Sequence, residues 1–335
     1  MRAMRLRHPA SLDTLRLETA EAPAPGPGEI KVRIRAASLN FRDGLVVNGF
    51  FPVADGLIPL SDGAGEVVEV GAGVTGFSVG DAVVSTFHPA WVDGHIEKSQ
   101  LTTSPGGPAD GYACDYATRS TAHFTPAPKG LSHAEAATLT CAGVTAWRAV
   151  VTDGQVKAGE TVVVQGTGGV SLFALQFAKA SGATVIATSS SEEKLGRLKA
   201  LGADHVINYR ETEKWGERVL EITGGLGADH VIEVGGPHSM PQSLVAARTG
   251  GHIAIIGAVG GFDIDTIPFA IVQAKRLRLQ GVTVGSRRDQ LAMVRAIEAN
   301  GIKPVVDRSY PLDQLADAFR ALKDGGFFGK ICIEI

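Results

Sequence analysis

Cysteine is scarce in this sequence: only Cys114, Cys141 and Cys332 occur in 335 residues. An odd number without clustered spacing argues against a disulfide framework and fits a reducing compartment. An excess of one charge sign is missing too. With a formal net charge of −3 there is no basic footprint, so nucleic acid is not an expected partner. No run of about eighteen apolar residues exists, so no membrane-spanning helix and no membrane association are expected. The opening Met1-Arg2-Ala3-Met4-Arg5 leads into polar sequence rather than an apolar signal core, and the expected location is cytoplasmic. Neither an internal repeat nor a low-complexity tract is present. The composition is that of a globular protein, 44% hydrophobic. Its length exceeds what one core usually supports, so two domains are expected.

Against that background one stretch stands out. Thr161-Val162-Val163-Val164-Gln165 is an apolar β-branched run that breaks at Gly166-Thr167-Gly168-Gly169-Val170-Ser171 and then turns helical, with Leu172, Phe173, Leu175 and Phe177 at buried-face spacing. A buried parallel strand turning sharply into a helix aims free N–H groups and a positive helix end at one spot, which suits a pyrophosphate. Gly166 permits the turn and Gly168 lets a diphosphate approach the backbone. The third glycine of the G-x-G-x-x-G pattern is replaced by Ser171, and the pattern alone is a weak signal. The continuation strengthens it. Apolar runs at 184–188, 202–207, 229–234, 251–257 and 277–282 follow, with helical segments between them. Six short strands alternating with helices predict a doubly wound parallel sheet.

The flanking sequence has another texture. Up to about residue 124, short β-like runs (30–36, 65–71, 81–85 and 111–117) are separated by glycine and proline. After the last of the six strands, 290–299 and 312–322 read as helices and 329–335 as a strand. The simplest partition assigns 1–124 and 287–335 to a β-rich domain and 125–286 to a Rossmann dinucleotide-binding domain. The loop 87–111 is expected to be a surface excursion. His88, His95 and Cys114 within and beside it lack the close pair spacing that pre-orients metal ligands.

The order of motifs resembles the medium-chain dehydrogenase/reductase superfamily, and within it the zinc-independent, quinone-oxidoreductase-like branch. The resemblance rests on Pro23 to Glu29, Ala37-Ser38-Leu39-Asn40-Phe41-Arg42-Asp43, Gly65 to Asp81, Ala136 to Trp147 and Gln165 to Ser171. It implies an α/β protein with a GroES-like β-rich catalytic domain and a Rossmann domain. In relatives with a catalytic zinc the ligands are Cys, His and Cys, and the matching positions here are Asn40, Ser61 and Cys141. Two of these are poor ligands, and three cysteines cannot supply the family's four-cysteine structural site, so no zinc is expected. Cys141 then reads as a small buried hydrophobe.

Cofactor identity can be argued from charge. NAD-preferring sheets carry an acidic residue at the end of the second strand, whose carboxylate repels a 2′-phosphate. Here that position is Ser189, followed by Ser190. Lys194 supplies a cation one helical turn on, and Tyr209 matches a family position contacting the same group; together they favour NADPH over NADH. The resemblance further implies that Thr145 and Asn40 face the nicotinamide region, with Asn40 also able to bind substrate. Gly169 and Val170 open the phosphate-binding helix. Gly257, Val259 and Val284 lie at strand ends where ligands of such sheets collect, and Lys330 is expected at the cofactor phosphates or the cleft. Arg42, Asp43 and Asp62 complete the polar active-site candidates. Asp43 beside Arg42 is read chiefly as an ion pair with a lowered pKa.

The resulting expectation is a zinc-independent, NADPH-dependent transfer of hydride to a quinone or α,β-unsaturated carbonyl compound. A metal-free NAD(P)-dependent alcohol or aldehyde dehydrogenase and a non-catalytic NADPH-binding sensor remain open beside it. The run 277–284 would be an unprotected edge strand, so a homodimer through it is expected.

Overall fold

A computed structural model describes residues 1–257, 260–261 and 267–335. They fall into two compact units, Met1–Val144 with Gly285–Ile335, and Thr145–Val284. In chain order the first unit contains β1 (Arg2–Leu6), β2 (Leu15–Thr19), β3 (Glu29–Ser38), α1 (Phe41–Val47), β4 (Asp62–Val70), β5 (Ala82–Ser85), β6 (Tyr116–Ser120), β7 (Phe124–Pro126) and α2 (His133–Ala137). The short α3 (Val144–Trp147) spans the division. The second unit carries β8 (Thr161–Gln165), α4 (Gly169–Ala180), β9 (Thr184–Ser189), α5 (Glu192–Ala200), β10 (His205–Asn208) and α6 (Trp215–Ile222). It continues with β11 (Ala228–Glu233), α7 (Met240–Ala246), β12 (Ala247–Ile255), α8 (Phe269–Ala274) and β13 (Arg278–Gly281). The chain then returns to the first unit with α9 (Arg287–Asn300), β14 (Val306–Pro311), α10 (Leu315–Asp324) and β15 (Lys330–Glu334).

In the second unit the strand order is β10-β9-β8-β11-β12-β13, every pairing parallel. Val162, Val163 and Val164 are fully buried, as a strand covered on both faces requires. The chain runs outward from β8 in one direction, then starts again from β8's other side at β11. That reversal opens a crevice outside the carboxyl ends of β8 and β11.

The first unit is built on a sheet of order β14-β15-β3-β4-β5-β7, with β6 also pairing β3. Alternation along β3 sends Ile30, Val32 and Ile34 into a core shared with Val67, Val83, Tyr112 and Phe124. Capping sets the return of the chain. Ser286 and Asp289 satisfy each other's backbone N–H at the start of α9, and Gly301 ends that helix at φ 62.

Three expectations need correction. The first division falls at Val144 rather than 124, because β7 pairs β5 and α2 packs on β3 and β4. The run 111–117 becomes a strand only from Tyr116; the N–H groups of Gly111, Tyr112 and Ala113 go to the carbonyls of Ile58, Leu60 and Pro59, out of ladder order. The loop 87–111 is not all surface either. Phe87, His88, Trp91 and Ser104 are buried, drawn in by apolar packing, and the stretch 92–103 is mostly exposed.

Candidate active site and nucleotide cradle

In the first unit three strands deliver polar side chains to one end of the sheet. Ser38, last in β3, lies opposite Asp62 of β4 and opposite Cys332 of β15. Beyond Ser38 the chain passes Leu39, whose N–H donates to the Ile331 carbonyl at 3.0 Å, and reaches Asn40, the N-cap of α1. Lys330, the first residue of β15, therefore arrives beside Asn40. The residue is 4% exposed, and its Nζ donates to the Leu39 carbonyl at 2.6 Å and to Asn40 Oδ1. Asp62 Oδ2 lies 3.9 Å from the same nitrogen. Asp62 is itself fully buried and accepts from Ser38 Oγ at 3.0 Å, Ser61 Oγ at 2.7 Å and the Cys141 N–H at 3.3 Å.

Asp43 forms the other half of the cluster. It accepts from the Asn40 N–H at 2.9 Å and from Arg42 Nη1 at 3.0 Å. Arg42 also donates to the Pro105 carbonyl and lies over the Phe87 ring. The ion pair is present, yet the expected lowered pKa is overturned. Complete burial raises the Asp43 carboxyl to about 6, outweighing the pull of Arg42, and nearby Asp62 adds to the rise. Of the two places expected for Lys330, its position beside Asn40 suits the cleft: its ammonium is buried against the Leu39 carbonyl and Asn40 Oδ1.

The second unit holds the other candidates. Gly166 follows β8 at φ 71, a left-handed conformation that glycine adopts without strain. Gly168 is the N-cap of α4, and no atom lies within 4 Å of where its Cβ would stand. The space above the helix end is open, with Gly169 and Val170 in the first turn. Ser171 explains how the motif tolerates losing its third glycine: its hydroxyl donates to the Gln165 carbonyl at 2.6 Å, tying helix to strand. Ser189 ends β9 beside Asn208 of β10, and the Tyr209 N–H donates to the Ser189 carbonyl at 3.1 Å. Ser190 and Ser191 come next, Ser191 capping α5 through the Lys194 N–H. Ser189, Ser190, Lys194 and Tyr209 thus share one corner of the sheet. The nearest acid in sequence, Glu192, is held by the Asn208 amide at 2.6 Å. Thr145 is buried near the start of the unit and Val284 buried at its end. Gly257 follows β12, where a Cβ would stand 2.3 Å from the Val234 carbonyl oxygen. Val259 lies outside the described residues.

One residue of this crevice escaped sequence reasoning. Glu233, last in β11 and fully buried, accepts from Gln165 Nε2 and the N–H groups of Gly235 and Gly236 at 2.8, 2.8 and 2.9 Å. The hydroxyls of Ser239 and Ser243 donate to it as well. The carboxylate clamps β8 to β11 where the strand order reverses. Its signal was an acid closing an apolar run, Val231-Ile232-Glu233.

Comparison with known proteins agrees with this architecture. Residues 26–129 match the alcohol dehydrogenase GroES-like domain and residues 169–299 the zinc-binding dehydrogenase family. A zinc-type alcohol dehydrogenase-like protein of Schizosaccharomyces pombe is 42% identical over 308 residues, covering 90% of this chain and 89% of that one. The chain belongs to the medium-chain dehydrogenase/reductase superfamily. Among solved structures, an NAD-dependent alcohol dehydrogenase is 36% identical at a TM-score of 0.91, with all of both chains covered. A crotonyl-CoA carboxylase/reductase in complex with NADP is 25% identical at a TM-score of 0.84, covering 100% of this chain and 94% of that one. This dehydrogenase/reductase is accordingly an NAD(P)H-dependent oxidoreductase.

A nicotinamide nucleotide fits the second unit, since the open turn at Gly166 and Gly168 leads into a twelve-residue helix with no side-chain cap among the described residues, and the first N–H groups of a helix have no partner within it. A catalytic zinc does not fit the first. Asn40 Oδ1 is occupied by an ammonium and the Ser61 hydroxyl donates to Asp62, so two of the three positions lack the thiolate or imidazole donor a metal needs. Among the described residues no three His, Cys, Asp or Glu side chains converge as a metal site.

Proposed function

We propose that this medium-chain dehydrogenase/reductase is a zinc-independent reductase that uses NADPH to deliver hydride to a small electron-poor acceptor, a quinone or an α,β-unsaturated carbonyl compound. The observation that carries the reading is the state of Asn40, a carboxamide bonded to a buried lysine where a metal-dependent relative needs a thiolate. With no Lewis acid to polarise the acceptor, charge growing on its oxygen must be met by hydrogen-bond donors, and an amide N–H is one. Quinones and enones suit such a site because conjugation already spreads that charge.

The nicotinamide supplies the hydride. The chain's own part is to hold and orient. The Gly166 to Val170 turn and the α4 N-terminus take the pyrophosphate, Ser189, Ser190, Lys194 and Tyr209 take the adenosine 2′-phosphate, and Thr145 and Asn40 order the reacting end. Asp43, neutral over part of the accessible pH range, keeps the start of α1 in place. The edge strand β13 would pair with its copy in a second chain, giving a homodimer. A second reading, a metal-free alcohol or aldehyde dehydrogenase, is favoured by the alcohol dehydrogenase names of the relatives.

Panels of quinones, enones, aldehydes and alcohols, each assayed with both nucleotides, test the proposal. Turnover of quinones or enones with a KM for NADPH well below that for NADH is expected. Activity confined to alcohols with NAD would support the second reading. Stoichiometric zinc in purified protein by elemental analysis would overturn metal independence.

A further inference from the structure

Lysine has only donors, and that settles the orientation of Asn40. Facing the Lys330 ammonium, the amide must present Oδ1, since the alternative sets N–H against N–H. Nδ2 is then turned to the other side. There it is buried and has no acceptor among the described residues, while Asn40 as a whole is only 8% exposed. Neither Asp43 nor Asp62 takes it: Asp43 is engaged by the Asn40 backbone N–H and Arg42, and Asp62 by Ser38, Ser61 and Cys141. A buried donor left open in an otherwise satisfied network marks a place for a ligand atom. The ammonium cannot drift, because the Leu39 carbonyl takes a second proton and the Asp62 carboxylate faces it at 3.9 Å.

We propose that Lys330 is a positioning residue that locks the Asn40 carboxamide with Nδ2–H outward, as the hydrogen-bond donor to the substrate oxygen on which charge grows during reduction. The inference rests on the reductase reading for its chemistry, though not for the amide orientation. Lys330 does not touch the substrate; it acts through Asn40. Hydride goes to the acceptor carbon, the electron pair of the reduced bond moves toward the oxygen, and Nδ2–H stabilises that charge until a solvent proton arrives.

The test is a double-mutant cycle with Asn40→Asp and Lys330→Met. Asn40→Asp keeps an oxygen for the lysine and removes the donor, so kcat for the best acceptor, measured at saturating NADPH, should fall by about 10²–10³. Lys330→Met should lose most of the same factor, and the double variant should be no slower than Asn40→Asp alone. If Lys330→Met does not fold, Lys330→Gln, whose amide can offer either end, takes its place. Asparagine-selective 15N labelling supplies a readout without turnover: the Asn40 side-chain N–H resonances should be single and sharp in wild type, and shifted or exchange-broadened in the Lys330 variant. Multiplying losses in the double variant, full kcat in either single variant, or unchanged Asn40 resonances would each overturn the proposal. A wild-type protein that turns over no quinone or enone would defeat the reductase reading while leaving the amide orientation to the resonances.

Discussion

Glu233→Ala should unfold the nucleotide-binding unit far more easily than its location beyond any expected substrate contact suggests. The carboxylate receives two N–H donors with no other acceptor, that of Gly236 and one of the two on Gln165 Nε2, whose other goes to Ser243 Oγ; the Gly235 N–H keeps Gln165 Oε1 at 3.3 Å. Ser239 has an alternative acceptor in the Gly236 carbonyl, and the Ser243 hydroxyl is free to rotate, so neither enters the sum. At about 1–2 kcal/mol per stranded donor the cost is roughly 2–4 kcal/mol, and water entering the vacated space moves it toward the lower figure. Glu233→Gln, which returns one acceptor oxygen, should recover about half. Urea denaturation followed by tryptophan fluorescence suits the measurement, since Trp147 and Trp215 both lie in the second unit. The same variant should weaken NADPH binding, because Gln165 ends the strand that feeds the glycine turn. A loss below about 1 kcal/mol would show that the Glu233 hydrogen bonds, one to β8 and four to the turn and helix after β11, do not stabilise this end of the sheet and would refute the reasoning.

Other outcomes are expected from the same physics. Asp43 has a folded value near 6 against an ordinary 3.8, so its contribution to stability is complete below pH 3.8 and is lost as pH rises through 6, a change of about 3 kcal/mol. Asn at position 43 should flatten stability against pH across that window, and an unchanged slope would contradict it. Burial first, then His230 and Arg278, lower the His252 imidazole to about 4, so its contribution is present above pH 6.5 and lost as pH falls through 4. Its NMR titration should show no midpoint above pH 5. Lys194→Ala should raise the KM for NADPH roughly tenfold and leave that for NADH within twofold, as loss of one charge-assisted phosphate contact predicts; equal changes in both would count against a 2′-phosphate role.

The parallel sheet was the most readable part of the chain. Burial on both faces demands long β-branched runs, and the Val162-Val163-Val164 type of run survives in a linear reading because its partners, though distant in sequence, are chemically alike. Asn40, Arg42, Asp43 and Asp62 were legible through family motifs, and the structure gathers all four at one end of the first sheet. Lys330 was legible only as lying at the cofactor phosphates or the cleft, because nothing near Phe327-Phe328-Gly329 in sequence tells that β15 will lie against β3 and bring it to Asn40, 290 residues away. The Asp43 pKa was misjudged for a similar reason. Its neighbour Arg42 is visible in the sequence and its complete burial is not.

Local chemistry alone therefore determined the element types, the glycine turn and the absence of an acid at the end of β9, since each depends on backbone preference and periodicity within a few residues. Tertiary structure decided which end of the Asn40 amide faces out, which proton Asp43 keeps, and that Glu233 joins two strands. Those properties depend on desolvation and on donor–acceptor geometry between segments far apart in the chain, and these exist only once the sheets have formed.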